Sequence, residues 1–522
     1  MNLIPRFRRG ALLRFGLGGL VVILFAATTT AVAGLLQFKQ LANDLSGTPA
    51  LKQARVTIAN PGSPQTILAI GSDHRAGEPF NVANTDTMML IRMDPNSSTI
   101  NVLSIPRDLK VQIPEHGIPV DSKLNSAYSV GGPNLLVKVI QQNVFPDLQV
   151  NHIVDINFGG FEHLVNAIGC VYTDVDHRYY NNTAVTDYSS IDIQPGYQRL
   201  CGSDALSFVR FRHSDSDIVR NARQQDFVRW AKDDYSQDQL VSNRDTLVRI
   251  FGQHTETDAD LHTTDGLINL FNLVAFMDGH TIKQIPFPAI LLPCNSGPVT
   301  PTLTGAAAAN TTQTPCFVGS DQNAEQRAFT ALMTPTAASP ATNSTPTGSP
   351  TPVQARGSGA QPPPSDVNAD AGDGKAQAAA LRGAGMPVYY PGVITPAAQY
   401  CTDGSNACPV DTASSGSYPR AYTIRDQQGN PHPAYRMTLV INSDLGEYFG
   451  IQGTTWQNPP LLRSPSSTQT VNGRKLLLYS NGGKLSVVAW RTPGGVYWVS
   501  NTLSNTISNK QMVEVAASLT QG

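Results

Sequence analysis

Short apolar runs with a period of two dominate the first half of the chain, and they are separated by polar turns. QTILAIGSD (65–73) reads as a strand running into a turn. TMMLIRMD (87–94) and TINVLSIPR (99–107) read as two further strands, with DPNSS between them as the turn. GPNLLVKVIQQNVF (132–145) has helical spacing, NHIVDINFGGFEHLVNAIG (151–169) is a strand followed by a helix, and CVYTDV (170–175) is again a strand. In ALSFVRFRHSDSDIVRNARQQDFV (205–228) the alternation of Leu206, Phe208, Val209 and Phe211 predicts a strand edge, then a turn, then a helix. TTDGLINLFNLVAFMDG (263–279) is helical, and TIKQIPFP (281–288) is a closing strand. Strands interleaved with helices through residue 293 predict an α/β domain.

The pattern lapses after Cys294. Thr, Ala, Pro, Gly and Ser dominate, and TPTAASPATNSTPTGSPTPVQARGSGAQPPPSD cannot bury enough apolar area to fold alone. Residues 294–385 therefore read as a linker, with VGSDQNAEQRAFTALM (318–333) as a short helix within it. Order returns near Met386. YRMTLVIN, RKLLLYSN, KLSVVAWR and GVYWVSNT are strand-like, with Asn-Gly-Gly and Pro-Gly-Gly turns, and NKQMVEVAASL is a terminal helix. Residues 386–522 are expected to form a second, small β-rich or α+β domain. Trp456, Trp490 and Trp498 either line a polymer-binding surface or fill a small core.

The N-terminus adds topology. Arg6, Arg8, Arg9 and Arg14 precede a nearly uncharged run over residues 15–38, close to the ~20 residues that cross a hydrocarbon core. A cleaved signal peptide is the rival, with its site near Ala31–Ala33. The run is long for that, so a retained transmembrane helix is expected. Residues 1–14 would then be a cytoplasmic basic segment, 39–64 a juxtamembrane spacer, and 65–293 an extracytoplasmic domain. The chain has 37 Lys and Arg against 39 Asp and Glu, so charge predicts no nucleic-acid partner. Six cysteines fit an oxidising compartment; of the fifteen connectivities they allow, Cys170–Cys201, Cys294–Cys316 and Cys401–Cys408 is the expected one, and the sequence leaves the choice open.

Candidate chemistry sits at the predicted strand ends, where α/β domains place ligands. Arg210, Arg212, Arg220 and Arg223 crowd one short segment, and guanidinium forks suit phosphate. Asp73 and Asp86 follow or begin strands and together suit Mg2+, since hard cations take carboxylate oxygens beside phosphate. Arg75 and Arg107 join them.

In order, IGSDHR, TDTMMLIRMDP, LSIPRDL, KLNSAY, VDINFGGFEHLVNAIGCV and VRFRHSDSDIVRNARQQ make residues 65–290 resemble the LytR-CpsA-Psr (LCP) family. The resemblance implies an LCP-like mixed sheet flanked by helices in a single-pass bacterial membrane protein. It implies a Mg2+-assisted phosphotransferase that moves a glycopolymer from a polyprenyl diphosphate donor to a peptidoglycan acceptor through a phosphodiester link. The family's GSDxR motif falls on Asp73 and Arg75, its (S/T)DT aspartate on Asp86, and its PRD arginine on Arg107. Its RxR pair falls on Arg210 and Arg212, and its RxxRQ motif on Arg220, Arg223 and Gln224. By that resemblance Asp73 and Asp86 hold the metal, while Arg107, Arg210, Arg212, Arg220, Arg223 and Gln224 hold the diphosphate. Arg75 braces Asp73 or the phosphate. The chain departs from the family at His74, where Ser or Thr is usual, and at Asn84, where Arg is usual. His74 is expected to be exposed or merely structural. A polyprenyl diphosphate hydrolase and a non-catalytic wall-binding or assembly protein are the alternative readings. The sequence leaves the polymer and the oligomeric state open.

Overall fold

In the computed structural model the described residues are 51, 56–74, 79–80, 83–115, 118–182, 190–211, 216–234, 250, 253–277, 280–292, 317–337, 366–370, 372–403, 408 and 416–522. The first half contributes twelve strands: β1 Gln65–Ser72, β2 Thr85–Met93, β3 Thr99–Ser104, β4 Lys110–Glu115, β5 Ile118–Lys123 and β6 His152–Asn157, then β7 Val171–Val175, β8 Tyr179–Asn181, β9 Ile191–Ile193, β10 Gly196–Leu200, β11 Thr255–Thr257 and β12 Thr281–Ile285. Its helices are α1 Leu124–Asn143, α2 Phe158–Ala167, α3 Gly202–Arg210, α4 Asp217–Asp234 and α5 Thr264–Phe276, and α6 Gln322–Met333 follows.

A mixed sheet in the order β11-β6-β1-β2-β3-β12 is the scaffold. β1 runs parallel to β6, and β3 to β12, whereas β2 and β11 are antiparallel to their neighbours. The C-terminal ends of β1, β3, β6 and β12 thus share one edge with the start of β2. Period-two alternation gives the sheet two apolar faces. Leu68, Ile70, Leu90, Leu103 and Ile153 pack on one side against α1 and against Phe329 and Leu332 of α6. Ile67, Met93 and Val154 pack on the other against Leu267 and Leu273 of α5, and Met89 and Val102 lie against Val228 of α4. The result is the expected helix–sheet–helix α/β layering.

Three features differ from expectation. Residues 205–210 are helical, within α3. Ala205, Phe208 and Val209 stand at i, i+3 and i+4 and are buried, while Asp204 in the first turn and Arg210 in the last complement the helix dipole. Next, α6 is part of the first core, and Asn101 Nδ2 donates to the Leu332 carbonyl at 2.9 Å. Finally, the expected transmembrane helix over 15–38 lies outside the described residues, and among the described residues no helix is long and apolar enough to cross a membrane. Of the two longest, α1 loses helical geometry at Gly131–Gly132, and α4 is studded with Arg and Asp. No described helix therefore carries the expected single-pass topology, with its cytoplasmic N-terminus and extracytoplasmic domains.

The C-terminal part forms an eight-stranded antiparallel sheet from strands between residues 399 and 500. One face, including Met437, Ile451, Val488, Trp490 and Tyr497, is covered by the helix Asn509–Ser518 through Met512 and Val515. The other face carries Val487, Ala489, Val496 and Trp498. It shares a core with Val171, Tyr172, Tyr197, Phe208, Phe227 and Trp230 of the first half. Trp490 and Trp498 are therefore core residues. Trp456 is partly buried between Tyr172 and His432, with ring centroids 5.3 and 5.8 Å away. Disulfides join Cys170 to Cys201 and Cys401 to Cys408, as expected, while Cys294 and Cys316 lie outside the described residues.

Candidate active site

The strand ends at the shared edge are laced together by backbone bonds. Asp73 N donates to the Asn84 carbonyl at 3.1 Å, and Asn84 N donates back to Asp73 Oδ1 at 2.5 Å. This clamp sets the start of β2, and with it Asp86. Beyond β3, Ile105 N donates to the Met88 carbonyl at 2.8 Å, and the turn at Pro106 presents Arg107 beside Asp86.

Asp86 is the hub. Its Oδ1 accepts from Arg107 Nη1, and its Oδ2 from Arg210 Nε at 2.9 Å. The Arg210 guanidinium also lies over the Phe158 ring, 3.8 Å from the centroid, so α2 supports its other side. Behind Arg107, Asp217 at the start of α4 pairs with Arg220, and its Oδ2 accepts from Asp108 N at 3.3 Å. Lys123 Nζ reaches Asp108 at 3.0 Å. Positive and negative groups alternate through this cluster, with Arg107 and Arg210 outermost. The Arg210 side chain is 41% exposed, whereas that of Arg220 is 1% exposed. Burial pushes the Asp86 carboxyl up, but Arg220, Arg107 and Arg210 outweigh it and hold it below the ordinary carboxylate range. Asp86 is thus ionised and fixes two guanidiniums at the sheet edge. That arrangement suits a di-anionic phosphate group.

A second polar group lies under the same edge. Asp155 on β6 accepts from Ser72 Oγ at 2.7 Å and from the Tyr128 hydroxyl. Burial dominates here and pushes Asp155 up to about 6, against the two hydrogen bonds that lower it. His74 Nδ1 lies 3.4 Å from Glu256, and its ring stacks on Phe80 at 4.4 Å. His74 is buried, not exposed.

Of the site residues expected from sequence, Asp86, Arg107, Arg210 and Arg220 are brought together. Asp73 stands at the same edge, joined to them through the start of β2. Arg223 is fully buried beneath α3. It donates to the Phe211 carbonyl and lies over the rings of Tyr179 and Phe208, at 4.7 and 5.6 Å. Gln224 Nε2 donates to the Val209 carbonyl at 3.1 Å. Both residues fasten the backbone on either side of Arg210. Arg210 accordingly leaves from a helix end, not a strand end. Arg75 and Arg212 lie outside the described residues. Asp108, Tyr128, Asp155, Asp217 and Glu256 belong to the polar network but were not foreseen. Asp217 had a signal in its i,i+3 spacing from Arg220, and Asp155 in being the lone charge of an apolar strand. Among the described residues no group of three or more His, Cys, Asp or Glu could hold a metal by itself.

Comparison with known proteins places this geometry in context. The TagU polyisoprenyl-teichoic acid–peptidoglycan teichoic acid transferase of Oceanobacillus iheyensis is 30% identical over 210 residues, covering 39% of this chain and 61% of that protein. The transferase of the same description, TagT, from Bacillus subtilis is 29% identical over 259 residues, covering 45% and 79%. A probable cell wall biosynthesis protein, LcpB, of Corynebacterium glutamicum is 31% identical over 220 residues, covering 40% and 47%. The chain thus spans less than two thirds of the first and third of these relatives. The crystal structure of B. subtilis TagV superposes with a TM-score of 0.39 at 22% identity, covering 52% of this chain and 97% of that one. The family model described as the LytR_cpsA_psr family matches residues 34–295, half of the chain and the whole of the sheet that carries Asp86 and its arginines, and the chain belongs to the LytR-CpsA-Psr family.

Proposed function

We propose that this chain is a phosphotransferase that moves a glycopolymer from a polyprenyl diphosphate carrier to peptidoglycan, leaving a phosphodiester link. The observation that carries the reading is the Asp86 carboxylate holding Arg107 and Arg210 side by side at the sheet edge. Family membership and the transferase names of the relatives support it.

In this mechanism the diphosphate lies against Arg107 and Arg210, whose exposed faces donate to its oxygens. Arg220 stands behind them and adds to the positive field. An acceptor hydroxyl attacks the phosphorus attached to the polymer. The new P–O bond forms as the bond to the bridging oxygen breaks, and the lipid monophosphate leaves. The hydroxyl proton passes to solvent, and Asp73, exposed just beyond the end of β1, positions the hydroxyl. Charge growing on the leaving oxygen is met by guanidiniums already in place, so little reorganisation is needed.

Asp73 and Asp86 are the carboxylates that would hold Mg2+. A bound ion would share Asp86 with Arg107 and Arg210, which take both of its oxygens, while Asp73 on the adjoining strand end would offer an exposed carboxylate. When bound, the ion neutralises diphosphate charge.

The test incubates the purified chain with a lipid-linked labelled polymer, peptidoglycan and Mg2+. Transfer yields label covalently joined to peptidoglycan. Free phosphorylated polymer with no acceptor product would indicate hydrolysis instead. Arg107→Ala is expected to lower transfer about 10²–10³-fold, the usual scale for losing one electrostatic donor. Normal transfer by folded Arg107→Ala and Asp86→Ala proteins would overturn the site.

A further inference from the structure

A cleft of about 150 Å3 opens where the 481–484 turn and the 503–505 loop of the C-terminal sheet meet the first domain. Ser104 at the end of β3, Asn221 in α4 and Gln284 in β12 all line it. Asn221 follows Arg220 in α4, and Ser104 and Pro106 precede Arg107, so the cleft is lined by the same two segments that carry these arginines.

All three residues carry a buried polar atom with no hydrogen-bond partner among the described residues: Ser104 Oγ, Asn221 Nδ2 and Gln284 Nε2. Ser104 is 1% exposed and Asn221 6%. A buried donor left unmade is costly, and here three belong to residues that line one cleft. Gln284 is also oriented from the C-terminal sheet. Its Oε1 accepts from Asn481 Nδ2 and from Asn505 Nδ2, the latter at 3.4 Å, and its N donates to Asn481 Oδ1 at 3.2 Å. With the carbonyl oxygen so engaged, the amide N–H groups are what remain for the cleft. Pro106, Phe287 and Leu503 supply apolar lining.

We propose that this interdomain cleft is an acceptor-side sugar subsite that binds an N-acetylated pyranose of a glycan. The acetamido carbonyl and ring oxygens accept from Asn221, Gln284 and Ser104, while the acetyl methyl and the ring C–H face pack on Pro106, Phe287 and Leu503. The proposal rests on the transfer reading above, because that reading makes a glycan the acceptor. It gives the C-terminal sheet a role in substrate binding, since Asn481 and Asn505 hold the Gln284 amide.

The test titrates N,N′-diacetylchitobiose into the full chain by calorimetry, with cellobiose as the sugar that lacks acetamido groups. Diacetylchitobiose is expected to bind at least tenfold more tightly than cellobiose. Asn221→Leu is expected to weaken it at least tenfold. Ser504→Trp, at an exposed position on the lip of the cleft, should do the same by obstruction without touching the core. Equal binding to all three proteins, or no binding to the wild-type chain at millimolar sugar, overturns the subsite. The transfer reading is tested separately by farnesyl diphosphate binding and its loss in Arg107→Ala. If that arm fails while diacetylchitobiose binding behaves as stated, the cleft stands as a sugar site and its acceptor role falls with the transfer reading.

Discussion

Asp155 sits between Val154 and Ile156 on a central strand, and its two oxygens are claimed by Ser72 and Tyr128. Burial raises its pKa to about 6, against an unfolded value near 3.9, so the folded state binds the proton more tightly than the unfolded chain. The sign follows: the stabilisation is fully present below about pH 4 and is lost as pH rises through about 6. A shift of this size amounts to about 3 kcal/mol. Urea unfolding at pH 4 and pH 7.5 should therefore show wild-type stability falling relative to Asp155→Asn by roughly that amount. An identical pH dependence in the two proteins would mean that folding does not raise the pKa of Asp155. Asp86 behaves oppositely, because three arginines outweigh its burial and keep it ionised. Two carboxylates near one sheet edge are thus shifted in opposite directions by their surroundings, and they differ in charge only below about pH 6. Asp86 is the one proposed to hold the arginines against substrate.

The connection from α3 to α4 decides where Arg210 points. Arg223 and Gln224 reach back from α4 to the carbonyls of Phe211 and Val209 and lock the end of α3. Arg223→Met removes one of these ties and the charge beneath Tyr179, with an expected stability loss of about 1–3 kcal/mol. If Arg223 also positions Arg210, the KM for the lipid donor should rise several-fold with kcat less affected, and Arg223→Lys should recover part of it. A stability loss with unchanged kinetic constants would assign Arg223 a packing role alone. The central strands and most helices were legible in sequence because their apolar faces follow the period of their own backbone. IGSD, TDT and PRD were likewise legible as strand-end chemistry. The strand edge expected from Leu206, Phe208, Val209 and Phe211 failed because Ala205, Phe208 and Val209 form a helical face in the same residues. Local period could not choose between them, and packing against Tyr179 and Phe227 did. Arg223 was read as a phosphate ligand for a related reason: a motif shows the residue type but not the carbonyl it turns to.

At the scale of the molecule, the two halves expected to be separate domains share one apolar core. Trp498 meets Tyr197 edge-on at 6.0 Å, and Tyr172 packs on Trp456. Gly446 lets its loop approach α4 beside Arg220, since a Cβ there would lie 2.6 Å from Val219. The polar centre of this interface is Asp174. It accepts from Arg436 Nη1 at 2.6 Å and from Gln452 Nε2 at 2.8 Å, while Arg436 Nη2 donates to the Asp176 carbonyl at 2.8 Å. Sequence separations of 260 or more hide such partners from any local reading. Arg436 is 1% exposed, so Arg436→Ala strands the Asp174 carboxylate in a dry interface. Breaking a buried pair from one side costs about 3–5 kcal/mol. A shared core also predicts that both sheets unfold together, as a single calorimetric transition whose van't Hoff and calorimetric enthalpies agree. In Arg436→Ala that transition should move to lower temperature and stay single if the apolar core alone couples the halves. It should split in two if the Asp174–Arg436 pair is what couples them. A chain ending at residue 337 would uncover Tyr172, Tyr197 and Trp230 and is expected to aggregate. A soluble, cooperatively folding 1–337 chain would show that the C-terminal sheet is an appended binding module and that the first sheet stands without it.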